Sequence, residues 1–211
     1  MNNDTGISFF DRFTKDPNIE ENLKISKFLN WSSELPAFCS LFGSTLNLVK
    51  DDIEGNIKKI NNAKMELDCD DFLQMILTEK KLKKHTNDNS GSTGSLWLYR
   101  AIEFVMEFLF SLYSNRSDET REVLNKAYSR SLKRHHNFLV STVFEQITRL
   151  APYKADILTK LKNDNSSIKD DEIYESIKVF LNNYIPLAKG LYDILVKEKI
   201  EIERVELFPS M

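Results

Sequence analysis

Eighteen residues in the middle of the chain, Leu96 to Tyr113 (LWLYRAIEFVMEFLFSLY), carry only three charges, Arg100, Glu103 and Glu107. Intervals of three and four align those charges in one narrow stripe on a helix. Everything else on its circumference is apolar, so this helix must be covered on most sides by the rest of the chain. The stretch predicts a central core helix. Its composition leaves open whether that core is solid or opens around a ligand.

The remaining pattern is also helical. A helix is predicted over Ile19 to Ser33, with Leu23, Phe28, Leu29 and Trp31 on its apolar side and Pro36 as its breaker. A second runs from Phe38 to Lys64 with a kink at Gly43, and a third runs from a cap at Asp70 to Lys84. His85 to Ser95 (HTNDNSGSTGS) reads as a loop, being small and polar with two glycines. Beyond the central helix, helices are expected over Glu119 to Arg134, His136 to Leu150, Lys154 to Leu161, and Asp171 to Lys199 with a kink at Pro186. Only IEIERVELF, at the C-terminus, alternates like a strand, and it has no partner. The fold class is all-α without internal repeats: a flexible arm over residues 1–18, then a single domain over 19–211.

Composition excludes several functions. A formal charge of −3 gives no basic footprint for nucleic acid. Cys39 and Cys69 lack metal-ligand spacing and read as buried thiols in a reducing compartment. His135 and His136 are adjacent, whereas a metal pair on a helix needs an interval of three or four, so no metal site is expected. An acid–base pair of His136 and Asp52 is conceivable, but no nucleophile motif or phosphate loop accompanies it, and no catalytic residue is assigned. With no secretory leader pattern and no run of about 18 apolar residues, the chain reads as cytoplasmic.

Two groups carry candidate chemistry. In DIEGNIKKI, Asp52, Asn56 and Lys59 share one helical face while Ile53, Ile57 and Ile60 point elsewhere. Such a comb is either a solvated face or a reader of a hydroxyl- and amide-bearing headgroup. An ionised Asp52 only accepts hydrogen bonds, Lys59 only donates, and Asn56 does both. Phe138, Pro152, Tyr153 and Lys154 form the second group. They read either as ordinary helix boundaries or as an aromatic edge touching a membrane, with lysine beside anionic lipid.

The strings DIEGNIKKI, LWLYRAIEF, LKRHHNFLV, APYKADIL and VFLNNYIPL, in this order, resemble the glycolipid transfer protein family from about Leu35 to Tyr192. The resemblance implies a two-layer sandwich of about eight helices that takes up one lipid without catalysis or cofactor. Asp52, Asn56 and Lys59 match the family's sugar and ceramide-amide binders, Trp97 its sugar platform, and His136 its bond to the amide carbonyl. Phe138 then stands where the family usually has a membrane-facing Trp. In the related branch that binds ceramide-1-phosphate, the positions of Trp97 and Ala101 are Arg and that of Asn56 is Lys, so sugar is favoured over phosphate. The chain also ends in ELFPSM, without the family's tail tyrosine; Phe208 lacks its hydroxyl.

The implied partners are a glycosphingolipid and, transiently, a membrane surface, with the protein a monomer. Each methylene moved into water costs about 0.8 kcal/mol, so a two-chain lipid with about 30 of them needs a dry pocket offsetting roughly 24 kcal/mol. Phe38, Phe42, Phe104, Phe108, Leu112, Phe144 and Phe180 are the candidate lining.

Overall fold

The computed structural model describes residues 8–13 and 17–202. Phe208, the final ELFPSM and most of IEIERVELF lie outside the described residues. Among those described there are ten α-helices, three short 3-10 turns, and no strand beyond one bridge between Lys24 and Asp71. Two more helices are present than the sequence suggested, because two predicted helices are each divided.

The first division separates α1 (Ile19–Asn22) from α2 (Ile25–Ser32). Asp70 reaches across the fold to cause it. Its carbonyl accepts from Ile25 N (3.0 Å), and its carboxylate accepts from Ser26 N (2.7 Å) and Ser26 Oγ (2.6 Å). Asp70 therefore caps α2, and the cap of α5 is its neighbour Asp71, which accepts from Gln74 N at 2.7 Å. Pro36 opens a helix instead of breaking one. It sits in the first turn of α3 (Leu35–Ser40), where its missing N–H costs nothing. The second division falls at Gly43, whose φ of 60° is left-handed and leads through a 3-10 turn, Gly43–Leu46, into α4 (Asn47–Glu66).

After α5 (Phe72–Lys81), the predicted loop ends early, because α6 begins at Gly91 and runs to Ser114. Ser90 caps it, and the buried Glu79 carboxylate accepts from Gly91 N (2.7 Å), Ser92 N (2.8 Å) and Ser92 Oγ (2.6 Å). Residues that looked like loop punctuation are small for packing. A Cβ on Gly91 would lie 2.5 Å from Met75 Sδ, and one on Gly94 would lie 2.9 Å from Lys59 Cβ.

The helix expected to reach Arg134 stops as α7 (Thr120–Arg130) and passes into a 3-10 turn, Leu132–His135. His136 is extended, and Asn137 caps α8 (Phe138–Thr148) by accepting from Val140 N at 3.0 Å. Then follow α9 (Lys154–Leu161), bounded as the sequence suggests, and α10 (Asp170–Lys197). Pro186 lies inside α10 without ending it; the carbonyl it leaves unbonded, on Asn182, is at an exposed position.

These elements form a helical sandwich around α6, which packs against α4, α5, α7 and α10. Its charged stripe survives inside because each charge meets its opposite. Arg134 Nη2 donates to both oxygens of buried Glu103 (2.9 and 2.7 Å), and Glu107 lies 3.6 Å from Arg130. The expected flexible arm is in part core. Phe9, Phe10 and Phe13 are buried, with Phe13 at 4.8 Å from Phe180 and 5.5 Å from Tyr184 between ring centres.

Candidate functional site

A cleft of ≈ 210 Å³ opens between α4, α6 and α8. Asp52, Trp97 and His136 meet there, from three different elements, on a wall made largely of Leu48, Val49, Val140, Val143, Phe144 and Ile147. Asp52 keeps an exposed edge, but burial against this apolar wall raises its carboxyl pKa, opposed by Asn56 and by the charge of Lys59. It remains the cleft's acceptor.

Asn56 and Lys59 continue along α4 beyond the lining. Asn56 is buried where α6 crosses, its carbonyl near Gly94, and its side-chain oxygen accepts from Lys59 Nζ at 3.2 Å. That bond orients the amide and leaves Nδ2 buried without a hydrogen-bond partner. Without a short hydrogen bond of its own, the amide still acts on the Asp52 carboxyl one turn back on α4, lowering its pKa against the effect of burial. Of the comb, Asn56 is buried, Lys59 half-buried and Asp52 exposed at its edge.

Trp97 is half-buried, and the Arg100 guanidinium lies 4.7 Å from its ring centre. Arg100 is itself held by Glu201, with Nε to Oε2 at 3.0 Å and Nη2 to Oε1 at 3.2 Å. Burial, with Arg100 nearby, lowers the pKa of His136, so the ring is neutral near pH 7. Its Nδ1 is 3.2 Å from the Tyr128 hydroxyl, which in turn is 3.0 Å from Ser141 Oγ. A single phenolic proton links these bonds. When Tyr128 donates to Ser141, His136 donates through Nδ1 and offers Nε2 as an acceptor. When Ser141 donates to Tyr128 and Tyr128 to Nδ1, Nε2 becomes the donor that an amide carbonyl requires.

Two histidines side by side are thus separated in role: His135 Nε2 accepts from Arg134 Nε at 3.0 Å, and burial with two nearby arginines lowers its pKa from 6.5 to about 4. Among the described residues no group of His, Cys, Asp and Glu is arranged to hold a metal ion.

Residues 23–163 match the family model described as glycolipid transfer protein. The chain belongs to the glycolipid transfer protein family. It is 35% identical over 186 residues to the glycolipid transfer protein of Xenopus tropicalis, covering 83% of this chain and 88% of that one. With the glycolipid transfer protein of Aureobasidium melanogenum it shares 28% over 201 residues, 92% and 96% of the two chains. Among solved structures, one showing how FAPP2 selects simple glycosphingolipids using the same fold superposes with a TM-score of 0.78 at 22% identity, covering 96% of this chain and 98% of that one. Human ceramide-1-phosphate transfer protein, in complex with 12:0 ceramide-1-phosphate, gives 0.77 at 12%, covering 91% and 95%. These last two establish the fold.

In this family member the candidate chain-lining residues separate. Phe144 lines the cleft, stacked on Tyr128 with ring centres 3.9 Å apart and edge-on to Phe104 at 5.7 Å. Phe38, Phe42 and Phe108 pack on one another at 5.1–5.7 Å and, with Phe104 and Leu112, are fully enclosed core. Phe180 faces a different groove, shared with Phe10 and Phe13. Of these core residues Phe104 backs the cleft wall through Phe144, and none of them forms its surface.

The membrane-edge group also separates. Phe138 is 88% and Tyr153 78% exposed. Pro152 is half-buried. Lys154 turns inward: Nζ donates to the carbonyls of Arg116 (2.7 Å) and Asp118 (3.1 Å), and its backbone N to Glu119 Oε2 (3.2 Å). This lysine fastens the α6–α7 link and is not a free cation for lipid.

Sequence reasoning missed Leu48 at the cleft, Leu139 beside Phe138, and the exposed Leu150, whose carbonyl accepts from the cleft residue Thr45, together with Val140, Val143 and Ile147. One signal was available. FLVSTVF has no charge on any face, which an ordinary surface helix does not tolerate.

Proposed function

We propose that this protein is a non-catalytic carrier that moves one glycosphingolipid at a time between membranes, working as a cytoplasmic monomer. The carrying observation is the convergence of an acceptor (Asp52), a flat indole (Trp97) and a neutral imidazole (His136) in one apolar-walled cleft, in a member of this family. The indole face suits the C–H side of a sugar ring, Asp52 accepts from sugar hydroxyls or the ceramide N–H, and His136 donates to the amide carbonyl. Asn56 Nδ2 supplies a further donor once a sugar oxygen reaches it. The acyl and sphingoid chains enter past Val140, Val143, Phe144 and Ile147, with Phe104 and Phe108 yielding behind them.

Docking is assigned to the exposed apolar rim: Phe138, Leu139, Leu150 and Tyr153, with Leu48 across the mouth. An apolar surface of this extent beside a cleft is a contact surface, and a carrier needs it only while loading and unloading. No cofactor takes part.

The test is transfer of labelled glucosylceramide, galactosylceramide, lactosylceramide and ceramide-1-phosphate between donor and acceptor vesicles. Glycolipid transfer above ceramide-1-phosphate transfer is the expected result. Transfer of the phosphate lipid alone refutes the sugar assignment, and binding of glycolipid without net movement refutes the carrier role.

A further inference from the structure

The cleft has a cation beside it that is not free to act. Arg100 stacks on Trp97 at 4.7 Å, and its fork is closed on the Glu201 carboxylate by two hydrogen bonds of 3.0 and 3.2 Å. Both side chains are largely withdrawn from solvent, with 12% of Arg100 and 4% of Glu201 exposed. A parallel bidentate pair of this kind occupies the Nε–Nη2 fork, one of the two edges by which a guanidinium grips a phosphate. The adjacent carboxylate also offsets much of the guanidinium charge at short range. The position of Arg100 matters because its guanidinium lies against the ring of Trp97, which lines the cleft.

We propose that Glu201 is a specificity-determining residue: by neutralising Arg100 beside Trp97 and His136, it makes the headgroup cleft accept uncharged sugars and reject phosphate monoesters. The proposal rests on reading the cleft as a lipid headgroup site. It adds to that reading a residue in no contact with the headgroup, acting through Arg100. Two effects combine in the native pair. The cation's attraction for a phosphate dianion is offset, and the Nε–Nη2 fork that would grip it is occupied. A sugar, being uncharged, is insensitive to either. Removing the negative charge while keeping the shape leaves a guanidinium with an open fork at the edge of the Trp97 platform.

The experiment uses the full chain and the substitutions Glu201→Gln, Glu201→Asp and the double Glu201→Gln with Arg100→Gln. Vesicle transfer of glucosylceramide and of ceramide-1-phosphate is measured for each, with thermal melts to establish folding. Glu201→Gln should raise the ratio of phosphate-lipid to glycolipid transfer about tenfold or more, the worth of one charge-assisted hydrogen bond. That gain should weaken as salt is added. Glu201→Asp, which keeps the charge in a looser geometry, should leave the ratio near that of the wild type. The double substitution should return it there, because the gain runs through Arg100.

An unchanged ratio in a folded Glu201→Gln protein overturns the proposal. So does an equal rise in Glu201→Asp or in the double variant, since loosening alone would then explain it. Loss of folding in Glu201→Gln with a folded double variant assigns Glu201 a structural role and overturns it too. A wild type that transfers neither lipid refutes the reading of the cleft itself, an outcome recognisable before any variant is made.

Discussion

Phe138→Ala separates membrane docking from folding, because the Phe138 ring is 88% exposed at the first position of α8 and none of its loss falls on the core. Alanine is also the better helix former, so the folded state should be unharmed. Fully burying a Phe side chain contributes about 1.5–3 kcal/mol. Taking half of that for a ring inserted to the headgroup boundary, the loss is about 0.8–1.5 kcal/mol, or roughly four- to tenfold in partitioning onto a neutral bilayer. Leu139, exposed on the next position, adds a similar increment, so the double alanine variant should fall roughly fifteen- to a hundredfold. Flotation with phosphatidylcholine vesicles measures this, and glycolipid transfer should fall in parallel. Met65→Ala is the control: Met65 is 70% exposed, but it sits 17 residues along α4 from Leu48, about 25 Å away by helical rise. The reasoning fails if Phe138→Ala floats as the wild type does, or if Met65→Ala lowers flotation as much.

Asp52→Val and Trp97→Ala should each lower glycolipid transfer at least about tenfold while leaving the melting temperature nearly unchanged, since neither side chain is core; undiminished transfer would remove them from the site. Glu79→Ala should destabilise the fold by about 3–5 kcal/mol in urea titration, because it leaves the buried N–H groups of Gly91 and Ser92 without an acceptor; a loss under about 1 kcal/mol would refute that role for the carboxylate. His135 gives a pH dependence of definite sign. Its pKa is depressed from 6.5 to about 4 in the folded state, so the unfolded chain binds the extra proton first. Stability should then decline as pH falls from about 6.5 toward 4. Glu103 and Glu107, whose pKa values burial raises, oppose the decline at its acid end by taking up protons more readily when folded. The difference between wild type and His135→Gln across that window isolates the histidine, and parallel curves would refute its contribution.

The central helix was legible because its evidence is local: three charges in register on an otherwise apolar cylinder leave one solution. The breaks were not, because partners distant in sequence make them. Asp70 divides α1 from α2 from 44 residues away, and the glycines of the supposed loop pack against Met75 and Lys59. The same limit applied at the site. Spacing placed Asp52, Asn56 and Lys59 on one face of α4, but whether that face was wet depended on α6 crossing Asn56 at Gly94. Lys154 looked like a lipid-facing cation because its targets are carbonyls, which sequence does not advertise. Trp97 and His136 were found by family order; nothing in their own neighbourhoods marked them.

The cleft's walls are held unequally, and this bears on how a lipid enters. Asp52 and Trp97 sit on α4 and α6, fixed by the Glu79 cap and the close approach at Gly91 and Gly94, with Arg100 and Glu201 clasped behind the indole. The opposite wall is α8, which buries only Phe144 and Thr148 of its 11 residues. Local opening follows buried contact, so α8 should open at much lower free energy than α6. Hydrogen exchange should therefore show the α8 amides exchanging well before those of α6. Bound glycolipid should protect α8 most, because chains seated against Val140, Val143 and Ile147 supply the apolar contacts this helix lacks. Equal protection of α6 and α8 in the lipid-free protein would mean that the wall is rigid, and that the chains must enter by displacing the Phe104–Phe108 core instead.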